Sequence, residues 1–173
     1  MRLARQLPAF AVVTVAACAS VPSAPQAIPD SFDEKTWEQQ KTLLPPYPKP
    51  ENLAGIYVSP NTSFRFFVDV ASVSVTPDGA VRYILMALSS GGATNVSYEA
   101  IRCKTYERRT YAFGRSDGTW SQSRNPLWTP ISGAQANRQH AVLAEDFFCT
   151  GRVPPRNAGD ALIMLDRYRL PVR

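Results

Sequence analysis

Residues 95–103 read Asn-Val-Ser-Tyr-Glu-Ala-Ile-Arg-Cys, a β-prone run that ends in a cysteine. Its Val, Tyr and Ile side chains favour a strand, and we predict that this strand lies at the centre of a sheet. Strict alternation places Tyr98 and Ile101 on opposite faces, so we expect a β-bulge near residues 99–100 that gathers the apolar side chains onto one face. The side chains expected there are Val96, Tyr98, Ile101 and Cys103.

Other β-prone runs flank this strand, and short turns join them. The runs are 64–69, 72–75, 81–88, 108–113 and 128–131. Asp-Gly pairs and a Ser/Gly-rich segment mark the tight turns between them. Because tight turns join antiparallel neighbours, the sequence predicts an antiparallel meander of about five or six strands. No Gly-rich phosphate loop follows a strand, which argues against a doubly wound nucleotide-binding fold.

Residues 134–148 predict a helix, because they are rich in Ala, Gln and Leu and contain neither Pro nor Gly. Its apolar stripe should cover the sheet, and Cys149 follows its end. Cys103 and Cys149 are the two cysteines that remain if Cys18 belongs to an export signal. In an exported protein a Cys103–Cys149 disulfide would tie the helix to the sheet; the alternative is two free thiols. The predicted fold class is α+β.

Residues 1–17 have the three parts of a signal peptide. Arg2 and Arg5 supply positive charge, an apolar run follows over 7–15, and small residues end the segment. The apolar run is too short for a permanent membrane span, which needs about 20 residues.

Cys18 ends the sequence Val-Ala-Ala-Cys, which resembles the lipobox of bacterial lipoproteins. Lipidation of Cys18 would give a stable membrane anchor, since two or more acyl chains bind far more firmly than one. Ala19 in place of Asp then favours the outer membrane of a Gram-negative cell, with the domain facing the periplasm or the cell surface. The alternative is ordinary cleavage after Ala19 and a soluble periplasmic protein.

The chain of 173 residues has room for one domain. We expect a lipidated N-terminus and flexible tether over 18–31 and an α+β domain over 32–150. A C-terminal extension over 151–173 would hold a short helix from about residue 157 to 168. The prolines of residues 44–50 predict an extended strap that lies on the domain's own surface.

The net charge of the chain excludes few classes of function. The formal charge is +5, and without the two leader arginines it is 17 − 14 = +3. A mildly basic chain does not by itself imply a nucleic-acid partner, and we expect none.

No catalytic centre, metal site or cofactor site is predicted. His140 is the only histidine, and a nucleophile needs a base beside it. Glu99 with Asp69 is a conceivable glycosidase-type pair, but no spacing singles it out. A periplasmic hydrolase that uses His140 with a carboxylate is the alternative function, and it requires His140, a carboxylate and a hydroxyl to meet in one cleft.

One group of basic and aromatic residues surrounds the central hairpin and is the candidate binding surface. It comprises Arg102, Lys104, Tyr106, Arg108, Arg109 and Tyr111. Such a group could bind an anionic envelope polymer or an acidic protein surface. The alternative is that these residues are solvated strand faces with Glu99 and Glu107 as cross-strand partners.

Several short motifs together resemble the cryptic neisserial protein-like family of bacterial envelope proteins. They include Phe-Asp-Glu at 32–34, Phe-Phe-Val-Asp at 66–69, Asp-Gly-Thr-Trp at 117–120 and Asn-Arg-Gln-His at 137–140, and the resemblance covers about residues 32–149. The family is largely uncharacterised, so it implies no catalytic residues. The chain also shows a looser likeness to the surface-adhesin protein E family, in which a strand and a helix each end in Cys. This likeness implies an antiparallel sheet joined to a helix by a disulfide, and a role in adhesion. We therefore expect a non-catalytic, adhesin-like envelope lipoprotein whose oligomeric state is open.

Overall fold

In the part of the chain that the structure describes, seven strands form one antiparallel sheet. The structure is a computed structural model that describes residues 43–134 and 137–168. The strands are β1 (Leu53–Ile56), β2 (Phe64–Val75), β3 (Ala80–Ser89), β4 (Thr94–Arg102), β5 (Glu107–Gly114), β6 (Trp120–Gln122) and β7 (Thr129–Pro130). They lie in the order β1-β2-β3-β4-β5-β6, and β7 pairs with β5. The predicted α+β meander is confirmed.

Helical elements follow the sheet. They are α1 (Arg138–Val142), a π-helical segment (Leu143–Phe148) and α2 (Ala158–Tyr168). A 3-10 turn at Pro50–Asn52 precedes β1. The predicted leader, Cys18 and the tether lie outside the described residues. No helix in the described part of the chain is long and apolar enough to cross a membrane.

The predicted bulge in β4 is wrong. The β3–β4 pairing runs without a break from Ala80 opposite Arg102 to Leu88 opposite Thr94. The extra residue lies in β5 instead, where Tyr111 falls between the partners of Tyr98 and Glu99. Because β4 is buried on both faces, its apolar side chains do not need to share one face.

β2 is one strand of 12 residues, although the sequence suggested two pieces. Its pairing with β3 is irregular between Asp69 and Ser74. Within that irregularity the Ser72 hydroxyl accepts a hydrogen bond from the Ile84 amide at 2.8 Å and donates one to the Asp69 carbonyl at 2.7 Å. The Ser72 side chain thus bonds to backbone groups that have lost their strand-to-strand hydrogen bonds at this irregularity.

The helices cover one face of the sheet, here called the helix face. It carries Val81, Tyr83, Leu85, Ile101 and Cys103, which pack with the buried residues of the helices. The predicted Cys103–Cys149 disulfide is present, with Cα atoms 5.4 Å apart and a sequence separation of 46. A loop of that length corresponds to about 4 kcal/mol of constraint on the unfolded chain.

The covering helix differs from the prediction of one helix over 134–148. The α-helix begins at Arg138 and changes to π-helical geometry at Leu143, where the Cys149 amide bonds to the Ala144 carbonyl at 2.8 Å. Residues 135–136 lie outside the described part. Phe147 and Phe148 are both buried against the sheet. The wider turn of a π-helix allows two adjacent large side chains to face the sheet together. In a regular α-helix, adjacent residues point in different directions.

The other face of the sheet, here called the strap face, carries Ile84, Val96, Tyr98 and Ala100. Residues 44–50, the predicted proline-rich strap, run across it. The Trp120 indole N–H donates to the Pro45 carbonyl at 3.1 Å, and the Tyr47 and Trp120 ring centroids are 5.7 Å apart. The expectation that this segment lies on the domain's own surface is confirmed.

Candidate functional site

A buried carboxylate–imidazole contact joins β4 to α1. The Nε2–H group of His140 donates to Oε2 of Glu99 at 2.8 Å, and both side chains are more than nine-tenths buried. Glu99 faces the helices because it lies opposite Tyr83 in the β3–β4 pairing. His140 lies in the short α1 helix, which packs over this face. The contact therefore fixes the helix on the sheet.

Two hydroxyls complete the surroundings of Glu99. Ser97 Oγ donates to Oε1 at 2.7 Å, and Tyr83 Oη donates to Oε2 at 3.1 Å. Ser97 stands two residues before Glu99 and therefore on the same face of β4. The carboxylate thus accepts three hydrogen bonds in a place with little water.

The electrostatics of this cluster favour a charged Glu99. Burial alone raises the pKa of Glu99, but the nearby His140, the Ser97 hydroxyl and the Arg108 guanidinium together hold its pKa below the usual value. Burial raises the pKa of the Tyr83 phenol well above its ordinary range, and the Glu99 charge adds to the effect. Tyr83 therefore remains a hydrogen-bond donor.

The order of these groups decides what chemistry they can perform. In a nucleophilic triad the imidazole stands between the hydroxyl and the carboxylate. Here the carboxylate stands between the hydroxyls and the imidazole. The second ring nitrogen of His140, Nδ1, is buried and has no hydrogen-bond partner among the described residues. His140, a carboxylate and a hydroxyl do converge, but not in the order that activates a nucleophile.

The pairing of Glu99 with Asp69 suggested by the sequence does not form. Asp69 lies opposite Ile84 and therefore faces the strap side, while Glu99 lies opposite Tyr83 and faces the helices. Within residues 43–134 and 137–168, no group of three or more His, Cys, Asp or Glu side chains could hold a metal ion.

A groove of about 720 Å³ opens beside the cluster on the part of the helix face that α1 and the π-helical segment leave uncovered. Its floor includes Phe66, Leu85 and Ala87 from β2 and β3. Polar side chains of β4, of the β1–β2 loop and of α1 line it as well. These polar residues include Asn95, Ser97, Glu99, Arg138 and Gln139.

The predicted basic and aromatic group is divided by the sheet. Arg102 and Arg109 lie beside Trp128, with their guanidinium groups 3.9 Å and 5.9 Å from the centre of its ring. The Arg109 guanidinium also lies 4.9 Å from the Tyr111 ring. Arg102 forms an ion pair with Asp78 at 3.2 Å. These contacts are intramolecular.

The other three members lie elsewhere. Lys104 is exposed in the β4–β5 turn. The Tyr106 hydroxyl bonds to Glu145, and burial together with this bond raises the pKa of Tyr106 to about 12. Arg108 lies close enough to Glu99 to lower its pKa. The six residues therefore do not form one continuous patch.

Ser97 and Tyr83, which complete the Glu99 cluster, were missed by the sequence analysis. The available signal was the Ser-x-Glu spacing within a strand, which places two polar side chains on one face of a segment expected to be buried. Tyr83 could not be found this way because its contact depends on the register of β3 against β4.

Comparisons with known proteins support one family. The family model described as "CNP1-like family" matches residues 32–166. The chain is also 28% identical over 148 residues to "Cryptic neisserial protein 1" of Neisseria gonorrhoeae (strain ATCC 700825 / FA 1090), an alignment that covers 76% of this chain and 72% of that protein. No solved structure matches.

Proposed function

We propose that this chain, which belongs to the CNP1-like family, is a non-catalytic binding module of the cell envelope, held on a membrane by a lipid at Cys18. The proposal that the domain is not an enzyme rests on the inward orientation of the Glu99–His140 contact. Nδ1 of His140 has no route to a substrate, since it is buried without a partner in the described structure. A general base must reach the proton that it removes.

The uncovered part of the helix face supports a binding role. A concave surface with an apolar floor and a few polar side chains is typical of ligand sites. The volume of about 720 Å³ is within the usual range. The proline-rich strap crosses the opposite face and therefore leaves the groove uncovered.

The anchor rests on the sequence. The signal-peptide pattern of residues 1–17 and the lipobox ending at Cys18 favour an outer membrane lipoprotein, with a soluble periplasmic protein as the alternative. The partner would be an envelope protein or polymer. An adhesin role is the expectation that the looser likeness to the surface-adhesin protein E family supplies.

A periplasmic hydrolase is the second candidate, and one observation favours it. His140, Glu99 and the hydroxyls of Ser97 and Tyr83 lie within hydrogen-bond distance of one another, beside a groove. The order of the groups argues against an activated nucleophile, as described above. Among the lining residues in the described chain, Glu99 is the single carboxylate, whereas glycoside hydrolysis commonly uses two.

The anchor is tested by the variant Cys18→Ser in the native host. With labelled palmitate, we expect the unaltered chain to take up label and to sediment with membranes. The variant should take up none and should appear in the soluble fraction, because no acyl chain can be attached to it. Cys103→Ala, which alters a buried cysteine of the domain, is the control and should still be labelled. Equal labelling of the unaltered chain and Cys18→Ser would contradict the anchor.

A further inference from the structure

We propose that the groove on the helix face binds a carbohydrate: a glycan of N-acetylated amino sugars that carries a carboxylate. This inference deepens the proposed function and rests on it, because it assumes that the domain binds its ligand without breaking it down. Four features of the described residues lead to this ligand.

The first feature is a pair of exposed aromatic side chains at opposite sides of the groove. Phe64 is 38% exposed and Phe113 is 47% exposed, and both line the groove. They belong to β2 and β5, which β3 and β4 separate. Phe64 lies opposite Ser89 of β3, whereas Phe113 lies opposite Ser97, whose own partner in β3 is Leu85. The two backbones are therefore three strand spacings apart across the sheet and four residues apart along it, or about 20 Å. Apolar side chains exposed at a concave surface are available to contact a ligand. Flat rings at that separation can stack on the C–H faces of more than one sugar ring.

The second feature is a hydroxyl whose role is fixed by the buried cluster. Ser97 Oγ donates its proton to Glu99 at 2.7 Å, so its lone pairs remain to accept a hydrogen bond from a ligand. Glu99 is itself held by His140. The cluster therefore presents an acceptor in a defined orientation, and sugar hydroxyl and acetamido N–H groups are the matching donors.

The third feature is the combination of amides and an apolar floor. Asn95 and Gln139 line the groove and can both donate and accept hydrogen bonds. Phe66, Leu85 and Ala87 form apolar floor between them. An acetamido group has the same two parts, a polar amide and a methyl group, and fits such a surface. A fatty acyl chain would leave the polar side chains of the lining without partners.

The fourth feature is the charge that the groove presents. The Glu99 side chain is only 6% exposed and already accepts hydrogen bonds within the buried cluster. Arg138 is exposed at the start of α1, lines the groove, and forms no hydrogen bond or ion pair with another described residue. It is the single cationic residue of the described lining, which is too few for a nucleic-acid backbone. One guanidinium can pair with one carboxylate of a ligand whose other groups are uncharged sugar hydroxyls and acetamido groups.

The test uses the full-length chain purified in detergent and titration calorimetry with two probes. One probe is the tetrasaccharide of alternating N-acetylglucosamine and N-acetylmuramic acid, which carries carboxylates. The other is chitotetraose, which has the same acetamido groups without the charge. We expect both to bind, the acidic probe more tightly.

Two groove variants and two matched controls separate the contributions. Phe113→Ala should raise the Kd of both probes about tenfold, whereas Ile163→Ala, an exposed apolar residue of α2, should leave them unchanged. Arg138→Ala should raise the Kd of the acidic probe about tenfold and bring it close to that of chitotetraose, whereas exposed Arg124→Ala should not.

Several outcomes overturn the glycan assignment. The first is that neither sugar probe binds. The second is that the sugars bind but the groove variants leave their Kd unchanged. The third is that a fluorescent fatty acid binds in place of the sugars and that Phe113→Ala weakens its binding. Palmitate labelling at Cys18 with no glycan binding would overturn the groove's ligand and leave the proposed anchor standing. Recovery of the tetrasaccharide in cleaved form would support the groove and overturn the non-catalytic function.

Discussion

Charge buried between two elements gives single residues a large effect in this fold. Glu99 accepts hydrogen bonds from His140, Ser97 and Tyr83. A buried pair of this kind is weak evidence for net stability, because removing a charged carboxylate and its polar partner from water is costly. Removal of one partner destabilises the fold strongly, because it leaves a buried charge without compensation.

We therefore expect His140→Ala to lower the free energy of unfolding by about 3 kcal/mol. Loss of the imidazole leaves the buried Glu99 carboxylate without the Nε2–H group that contacts it. The double variant His140→Ala/Glu99→Gln should lose less than the sum of the two single changes, because the buried charge is removed as well. Urea denaturation of the four proteins measures this coupling. Additive losses would mean that the two side chains do not act as a pair.

The pH dependence of stability should carry the signature of Glu99. Its pKa in the folded protein lies below the ordinary value of 4.5. Its contribution is therefore complete above that value and is lost as the pH falls through the lower pKa of the folded state. The groups that face it are His140, Tyr83 and Arg108.

The measurable consequence is a difference between the unaltered chain and Glu99→Gln. We expect their difference in free energy of unfolding to be steady near neutral pH and to shrink as the pH falls below 4.5. Urea denaturation at a series of pH values tests this. Glu51→Gln, a change at an exposed carboxylate, controls for the loss of one negative charge. A difference that grows towards low pH would contradict the assignment.

Among the elements, the proline-rich strap depends on a close approach to β5. A Cβ atom added at Gly114 would lie 2.7 Å from Cε2 of Tyr47 and 2.9 Å from Cβ of Val96. Both distances are shorter than real contacts. Gly114 is therefore required by packing between the strap and the sheet and not by a turn.

Gly114→Ala should lower the free energy of unfolding by about 1–3 kcal/mol, the usual cost of adding volume to a packed site. Gly133→Ala is the matched control, because a Cβ atom there meets nothing within 4 Å. Thermal unfolding followed by circular dichroism compares the two. Equal melting temperatures for Gly114→Ala and Gly133→Ala would show that the strap does not press on β5 in solution.

In the molecule as a whole, the packing continues beyond the residue at which the sequence analysis ended the domain. α2 contacts β1, β2 and the π-helical segment. Ala161 and Leu165 are almost fully buried in the same core as Tyr83 and Phe148. The family match likewise extends to residue 166.

Leu165→Ala should therefore cost about 2–5 kcal/mol, as expected for a truncated core leucine. Ile163→Ala on the same helix should change stability little, because Ile163 is 61% exposed. The two variants share a helix and a similar loss of volume, so their comparison isolates burial. Urea denaturation provides the measurement, and similar losses for both would mean that α2 is not part of the core.

The sequence alone determined the features that depend on local pattern. Alternating apolar runs and Asp-Gly turns predicted the antiparallel meander, since side-chain period and turn geometry are local properties. Two cysteines at the ends of a strand and a helix predicted the disulfide. The proline-rich strap was also predicted to lie on the domain's own surface.

Only the tertiary structure decided which strand carries the bulge and which polar groups meet. The extra residue falls in β5 at Tyr111, because the pairing of two whole strands sets the register. The contact between Glu99 and His140, 41 residues apart, depends on where α1 lies over the sheet. That placement also leaves part of the helix face open as a groove. Such contacts arise from packing between distant segments, and no local pattern in the chain encodes them.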